Sequence, residues 1–239
     1  MATGPFNRYA TPGRMADQAV YDAGLRAHML RVFNYMTGGL AVTGLVAFLT
    51  SQSPAMLQLI FGTPLKWVVM LAPLAFVFFI SFRLQTISSA TLQALFWAFS
   101  AVMGLSMAAI FLVFTQSSIA RVFFISAAMF AGTALWGYTT KRDLTGMGSF
   151  LMMGLIGIII AGLVNIFIAS SAMQFAISVI GVIVFTGLTA FDVQRIKETF
   201  NEGWGVEANN KLAVFGALSL YLNFINLFTS LLNLMGQRE

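Results

Sequence analysis

The chain has 239 residues, of which 59% are apolar and only 9% charged, and its mean hydropathy is +0.86. Soluble domains carry about 25% charged residues. A water-soluble core is therefore excluded, and apolar runs near the roughly 20 residues that a bilayer crossing needs make this an integral membrane protein. The net charge of +5 comes from 13 basic residues at the ends of those runs, which is a demand of membrane topology and calls for no nucleic acid.

The chain has no cysteine, so disulfides, thiolate catalysis and cysteine metal sites are excluded. Its one histidine, His28, falls outside the expected spans, which sets aside a histidine-rich zinc or haem site. The 24 phenylalanines and 14 methionines fit a lipid-facing, tightly packed bundle and imply no cofactor. No HExxH, GxSxG or phosphate-loop pattern occurs, and only one carboxylate is well placed within the apolar region, so no enzyme is expected.

Residues 1–31 read as a polar cytosolic tail, with a short surface helix near 18–31 as one reading. The segment is no signal peptide, because Arg8, Arg14, Arg26 and Arg31 precede the first long apolar stretch. A single transmembrane domain follows over 32–239, all-α, with seven spans at about 33–50, 67–82, 90–114, 120–138, 148–169, 172–191 and 212–235. With the amino terminus inside, Arg8, Arg14, Arg26, Arg31, Arg83, Lys141, Arg142, Arg195, Lys197 and Lys211 lie on the inner side. Lys66, Arg121 and Arg238 lie outside. That asymmetry predicts amino terminus in and carboxyl terminus out; a re-entrant seventh span would flip only the latter. Two glycine-rich stretches, "NYMTGG" at 34–39 and "GLIGIIIAG" at 154–162, predict close helix packing inside the bundle, with a hinge or homodimer seam as the other use of the second.

The stretch "TAFDVQRIKETF" at 189–200 sets Asp192 at the inner boundary of the sixth span. Two readings stand there. Asp192 is a terminal charge offset by Arg195 or Lys197, or it is a buried carboxylate that binds a cation or exchanges a proton. The seventh span repeats polar residues on one helix face at Ser219, Asn223, Asn226 and Ser230. Lipid is a poor home for such a strip. It glues helices together, lines a hydrated path, or offers oxygens to a cation.

"LTAFDVQRIKETF" followed by "GALSLYLNFINLFTSLLNLMG" resembles the closing signature of the Bax inhibitor-1, or transmembrane Bax inhibitor motif, family. Upstream, "SFRLQTISSATLQALFWAFSAVMGLSMAAIF" and the stretch from "FISAAMFAGTALWGY" through "GLVNIF" are similar to its bacterial members, so the resemblance runs from about residue 25 to the end. It implies a seven-helix bundle with the last helix central, a monomer in a bacterial inner membrane, and a pH-sensitive calcium leak with no cofactor besides the permeant Ca²⁺. It also implies a latch in which two aspartates on the sixth and seventh helices share a proton and an arginine on the second helix pairs with them. The first aspartate corresponds to Asp192 and the arginine to Arg83. The second falls on Asn223, which cannot ionise, so the proton cannot be shared and a weakened pH response is expected. Asn223 can donate to Asp192, and the two would form a weak, transient Ca²⁺ site. The polar strip of Ser219, Asn226 and Ser230 would line the path. Some bacterial relatives imply another role, restraint of a membrane-bound AAA protease, which needs no ion flux.

Overall fold

The computed structural model describes residues 12–238, with side chains from residue 20. Eight α-helices run in chain order: α1 (Pro12–Ser51), α2 (Pro54–Phe61), α3 (Leu65–Arg83), α4 (Ser89–Met107), α5 (Gln116–Thr139), α6 (Thr145–Ile168), α7 (Ser171–Thr199) and α8 (Gly205–Met235). Among the described residues seven of them, all but the short α2, are long and apolar enough to cross a membrane. The all-α architecture and the span count agree with the sequence reading.

The boundaries differ in instructive ways. The expected surface helix and the first span are one continuous α1. Gly24 does not break it, because an added Cβ there would stand 3.0 Å from the Phe200 ring: α1 is packed at that point on the α7–α8 connection. His28 lies on this same helix. It is buried at 3% exposure, its ring centroid is 5.2 Å from that of Phe200, and neither nitrogen has a hydrogen-bond partner. Pro73 sits inside α3, as lipid-embedded helices tolerate when their neighbours compensate.

The last helix is central. Two-thirds (67%) of the apolar window of α8 is buried, against 11% for α6, and α8 packs on α1, α4, α5 and α7. Its apolar contacts include Tyr221, fully buried between Phe96 and Phe99 at 6.1 and 5.3 Å. Thr43 donates to the Ser100 carbonyl at 2.8 Å, so the Tyr221 hydroxyl is left to donate to Thr43 Oγ1 at 2.6 Å. That pairing lets a phenol sit in an apolar core without an unsatisfied group.

Glycines place α1 where the sequence reading expected. A Cβ on Gly38 or Gly39 would meet Trp97 at 2.8 Å or Phe96 at 2.7 Å, so α1 and α4 touch almost backbone to ring. The second stretch behaves otherwise. Gly148 and Gly154 of α6 pack on Phe191 and Val184, but Gly157 and Gly162 face open space. Packing inside the bundle is thus corrected for those two, because α6 is a peripheral helix. Asn165 closes the tight turn from α6 to α7: it accepts from Ser170 N at 3.0 Å and donates to Gln174 Oε1 at 3.3 Å. Ala169 takes the left-handed conformation there, with φ of 52°.

Both ends of α8 are tied to neighbours. At the basic end Glu207 accepts from Ser89 N and Ser89 Oγ, both at 2.6 Å, and Arg31 Nη1 donates to Asn210 Oδ1. At the other end Thr115 N donates to Gln237 O at 3.0 Å and Gln237 N to Ser118 Oγ at 2.9 Å. The carboxylate of Glu207 thus satisfies one of the first free amides of α4 and opposes the positive end of its dipole. Replacing Glu207 by alanine is expected to speed amide hydrogen exchange at Ser89 roughly tenfold or more, read by mass spectrometry. Unchanged protection would show that α4 does not depend on this contact.

Candidate functional site

Asp192 does not stand at the end of a helix. The apolar residues Val193, Ile196 and Phe200 are all buried, so the helix period continues beneath the charged surface of "VQRIKETF" and α7 extends to Thr199, two turns past Asp192. The expected inner boundary at 191 is corrected accordingly. The connection to α8 shrinks to residues 200–204, and most of the stretch between the expected sixth and seventh spans is helix.

Asp192 is 8% exposed. Its Oδ2 accepts from Asn223 Nδ2 at 2.8 Å, and its Oδ1 pairs with Arg195 Nη2 at 2.9 Å. Both oxygens are therefore held, one from the central helix and one from its own helix a turn further on. Arg195 is half in water, lies 5.6 Å over the Phe191 ring, and reaches Ser219 Oγ at 3.5 Å, the outer limit of a hydrogen bond. Of the two basic partners weighed from sequence, Arg195 is the one observed. Lys197 turns away and donates to the Tyr138 carbonyl at 2.9 Å.

Arg83 is exposed at the end of α3, and α3 packs on α4 and α2. Among the described residues the ion pair of Asp192 is with Arg195 and none joins it to Arg83. The pairing with Arg83 that the resemblance implied is absent in this structure, and Arg195 stands in its place beside Asp192. The physical reason is placement, since three residues along one helix turn is a fixed short distance whereas α3 stands at the rim of the bundle.

Sequence reasoning missed the neighbour of this pair. Gln194, 5% exposed, accepts from Leu144 N and donates to Arg142 O, both at 2.8 Å, and so fastens the α5–α6 turn to α7. Its burial was predictable only once α7 was known to continue. In that turn Asp143 accepts from Thr145, and those bonds hold its carboxyl below the usual carboxylate range, so it stays ionised near neutrality.

The polar strip of α8 divides into two parts. Ser219 and Asn223 stand at the Asp192–Arg195 end. Asn226 and Ser230, further along, line a cavity of about 300 Å³ between α6, α7 and α8, with Gln174, Ser178, Thr229 and Asn233 beside them. Asn226 donates its amide to the Leu222 carbonyl at 2.8 Å. Ser178, Thr229 and Asn233 likewise bond carbonyls of their own helices. Among the described residues no cluster of three or more His, Cys, Asp or Glu side chains comes together. Asp192 and Asn223 supply one carboxylate and one amide, far short of the six to eight oxygens that hold Ca²⁺ tightly.

These features define a class: a helical membrane protein whose central last helix is joined to its predecessor by a buried carboxylate–amide contact. The profile of the family described as Inhibitor of apoptosis-promoting Bax1 matches residues 25–239. The chain is 47% identical to a protein of Caulobacter vibrioides, covering 97% of both chains. It is 44% identical to protein RP147 of Rickettsia prowazekii, covering 92% of this chain and 93% of that one. To the inner membrane protein YbhL of Escherichia coli K12 it is 43% identical, covering 91% of this chain and 94% of YbhL. The chain belongs to the Bax inhibitor-1 family.

Proposed function

We propose that this protein is a cation leak of a bacterial inner membrane, oriented with its amino terminus in the cytoplasm, and that Ca²⁺ is among the ions it passes. The observation that carries the reading is the Asp192–Asn223 contact at 2.8 Å, set between a cavity of about 300 Å³ that Asn226 and Ser230 help to line and the basic end of the bundle. Ser219, Asn223, Asn226 and Ser230 continue one polar face from one side of that contact to the other. An unpaired intramembrane carboxylate is costly and commonly marks an ion path. Here Asn223 and Arg195 occupy both oxygens of Asp192, which describes a closed arrangement. Release of Asp192 by an arriving cation opens the way along α8.

The absence of a second carboxylate sets the expected pH response. Calcium flux into liposomes holding the purified protein should differ little between pH 6 and pH 8. In the Asn223→Asp variant two carboxyls stand within hydrogen-bonding distance and must share a proton. Flux through that variant should differ several-fold between the two pH values. Flux absent from both proteins at both pH values would sink the leak reading.

A second reading, restraint of a membrane-bound AAA protease, draws on the exposed face of α6, where Gly157 and Gly162 have no neighbour within 4 Å. Close helix approach in lipid uses such faces. Copurification of a protease that survives Asp192→Asn but is lost in Gly157→Leu would favour it.

A further inference from the structure

A long groove separates α1 from α5. Helix α1 packs on α4 and α8, and α5 on α7 and α8, so the two flank a gap whose floor includes Phe224. Three small residues of α5, Ala127, Ala131 and Ala134, recur at helical spacing on the groove side, which is why the gap exists. Its volume is about 1200 Å³.

Polarity is confined almost wholly to one end. Asp22, Arg26 and Tyr138 line the mouth, Thr37 is the one other polar residue, and the remainder is apolar. Along α1 the lining runs from Asp22 to Leu45, roughly 35 Å at 1.5 Å per residue. That matches the roughly 30 Å hydrocarbon thickness of a bilayer with the polar mouth beyond it. An apolar lining over a bilayer's depth with a cation at its mouth matches the two parts of a lipid, a hydrocarbon chain and a charged headgroup.

Charge selects the headgroup. Arg26 is exposed at the mouth, and among the described residues it makes no ion pair or hydrogen bond, whereas Asp22 has an interaction of its own. Lys197 adds a second cation, 2.9 Å from the carbonyl of Tyr138. We propose that the α1–α5 groove is a binding site for an anionic phospholipid, with its phosphate on Arg26 and an acyl chain lying between α1 and α5 over Phe224. A zwitterionic lipid would bring a cationic group toward Arg26 and Lys197 and is disfavoured there.

The test is native mass spectrometry of delipidated protein titrated with phosphatidylglycerol or with phosphatidylcholine of the same chains. The wild type should retain phosphatidylglycerol about fivefold better. Arg26→Gln should abolish the preference while keeping some lipid. Ala131→Trp should lose both lipids by filling the groove. Gly44→Leu, at a position where an added Cβ meets nothing within 4 Å, should do the same without disturbing the fold. Ile166→Trp, on the exposed side of α6, should change nothing. Equal retention of the two lipids by the wild type, or retention unaffected in Gly44→Leu, would overturn the proposal. So would a dimer that Ala131→Trp dissociates, since a second copy would then be the occupant.

Discussion

Calcium flux through the Asp192→Asn variant is expected to fall about tenfold or more, and flux through Arg195→Gln to rise. The first change keeps the size of the side chain and lets an amide still meet Asn223, but it removes the negative charge from the polar strip. A divalent ion 4 Å from a carboxylate at an effective dielectric constant of 20 gains roughly 8 kcal/mol before its own dehydration is counted. A tenfold change in rate needs only about 1.4 kcal/mol of that to survive. The second change leaves the carboxylate and frees Oδ1, now held by Arg195 at 2.9 Å. Opposite signs are the decisive feature. A purely structural pair would weaken folding in both variants and move flux in one direction or not at all. Stability offers the control: Arg195 is half exposed, so its loss should cost no more than about 1 kcal/mol. Asp192→Ala, which strips a buried amide of its acceptor, should cost about 1–3 kcal/mol.

The largest effect on stability is expected at Gly137. A Cβ added there would run into the backbone of α7, striking the Ala190 carbonyl oxygen and standing 2.8 Å from Ala190 Cα. Neither atom can swing aside as a side chain would, so α5 and α7 must part. Overpacking of this kind costs about 1–3 kcal/mol for small additions, and Gly137→Val should exceed the upper figure of roughly 3 kcal/mol. Because Ala190 precedes Asp192 by two residues, the same displacement should disturb the Asp192–Asn223 contact. The comparison is Gly132→Ala on the same helix, where an added Cβ meets nothing within 4 Å and the thermal midpoint should hold or rise slightly. Equal midpoints for the Gly137→Val and Gly132→Ala variants would show that α5 adapts to the added bulk.

Much of this architecture was legible in the sequence, and the failures share a cause. Composition and apolar run length sufficed for seven spans, because every backbone group in lipid must be satisfied within a helix. The facing of Asp192 and Asn223 was legible through the family signature. The depth of Asp192 was not. Arg195, Lys197 and Glu198 look like the start of a loop in a linear reading, yet Val193, Ile196 and Phe200 carry the buried face onward beneath them. The burial of His28 was missed for the same reason, as a lone polar residue whose neighbours Met29 and Val32 are buried. Choosing Arg195 over Arg83 needed the position of α3 at the rim, which no local pattern encodes. The open side of Gly157 depended on which helix ended up outside, again a tertiary fact.

The double fastening of α8 has a mechanical meaning. Glu207 and Asn210 anchor one end to α4 and α1, and Gln237 anchors the other to the start of α5. A rod pinned at both ends and hemmed in along its length cannot act as a piston, nor turn freely about its axis. It serves as an axle. Any motion that parted Asp192 from Asn223 would then fall to α7, and Gln194, bonded to Leu144 N and Arg142 O, would carry the α5–α6 turn with it.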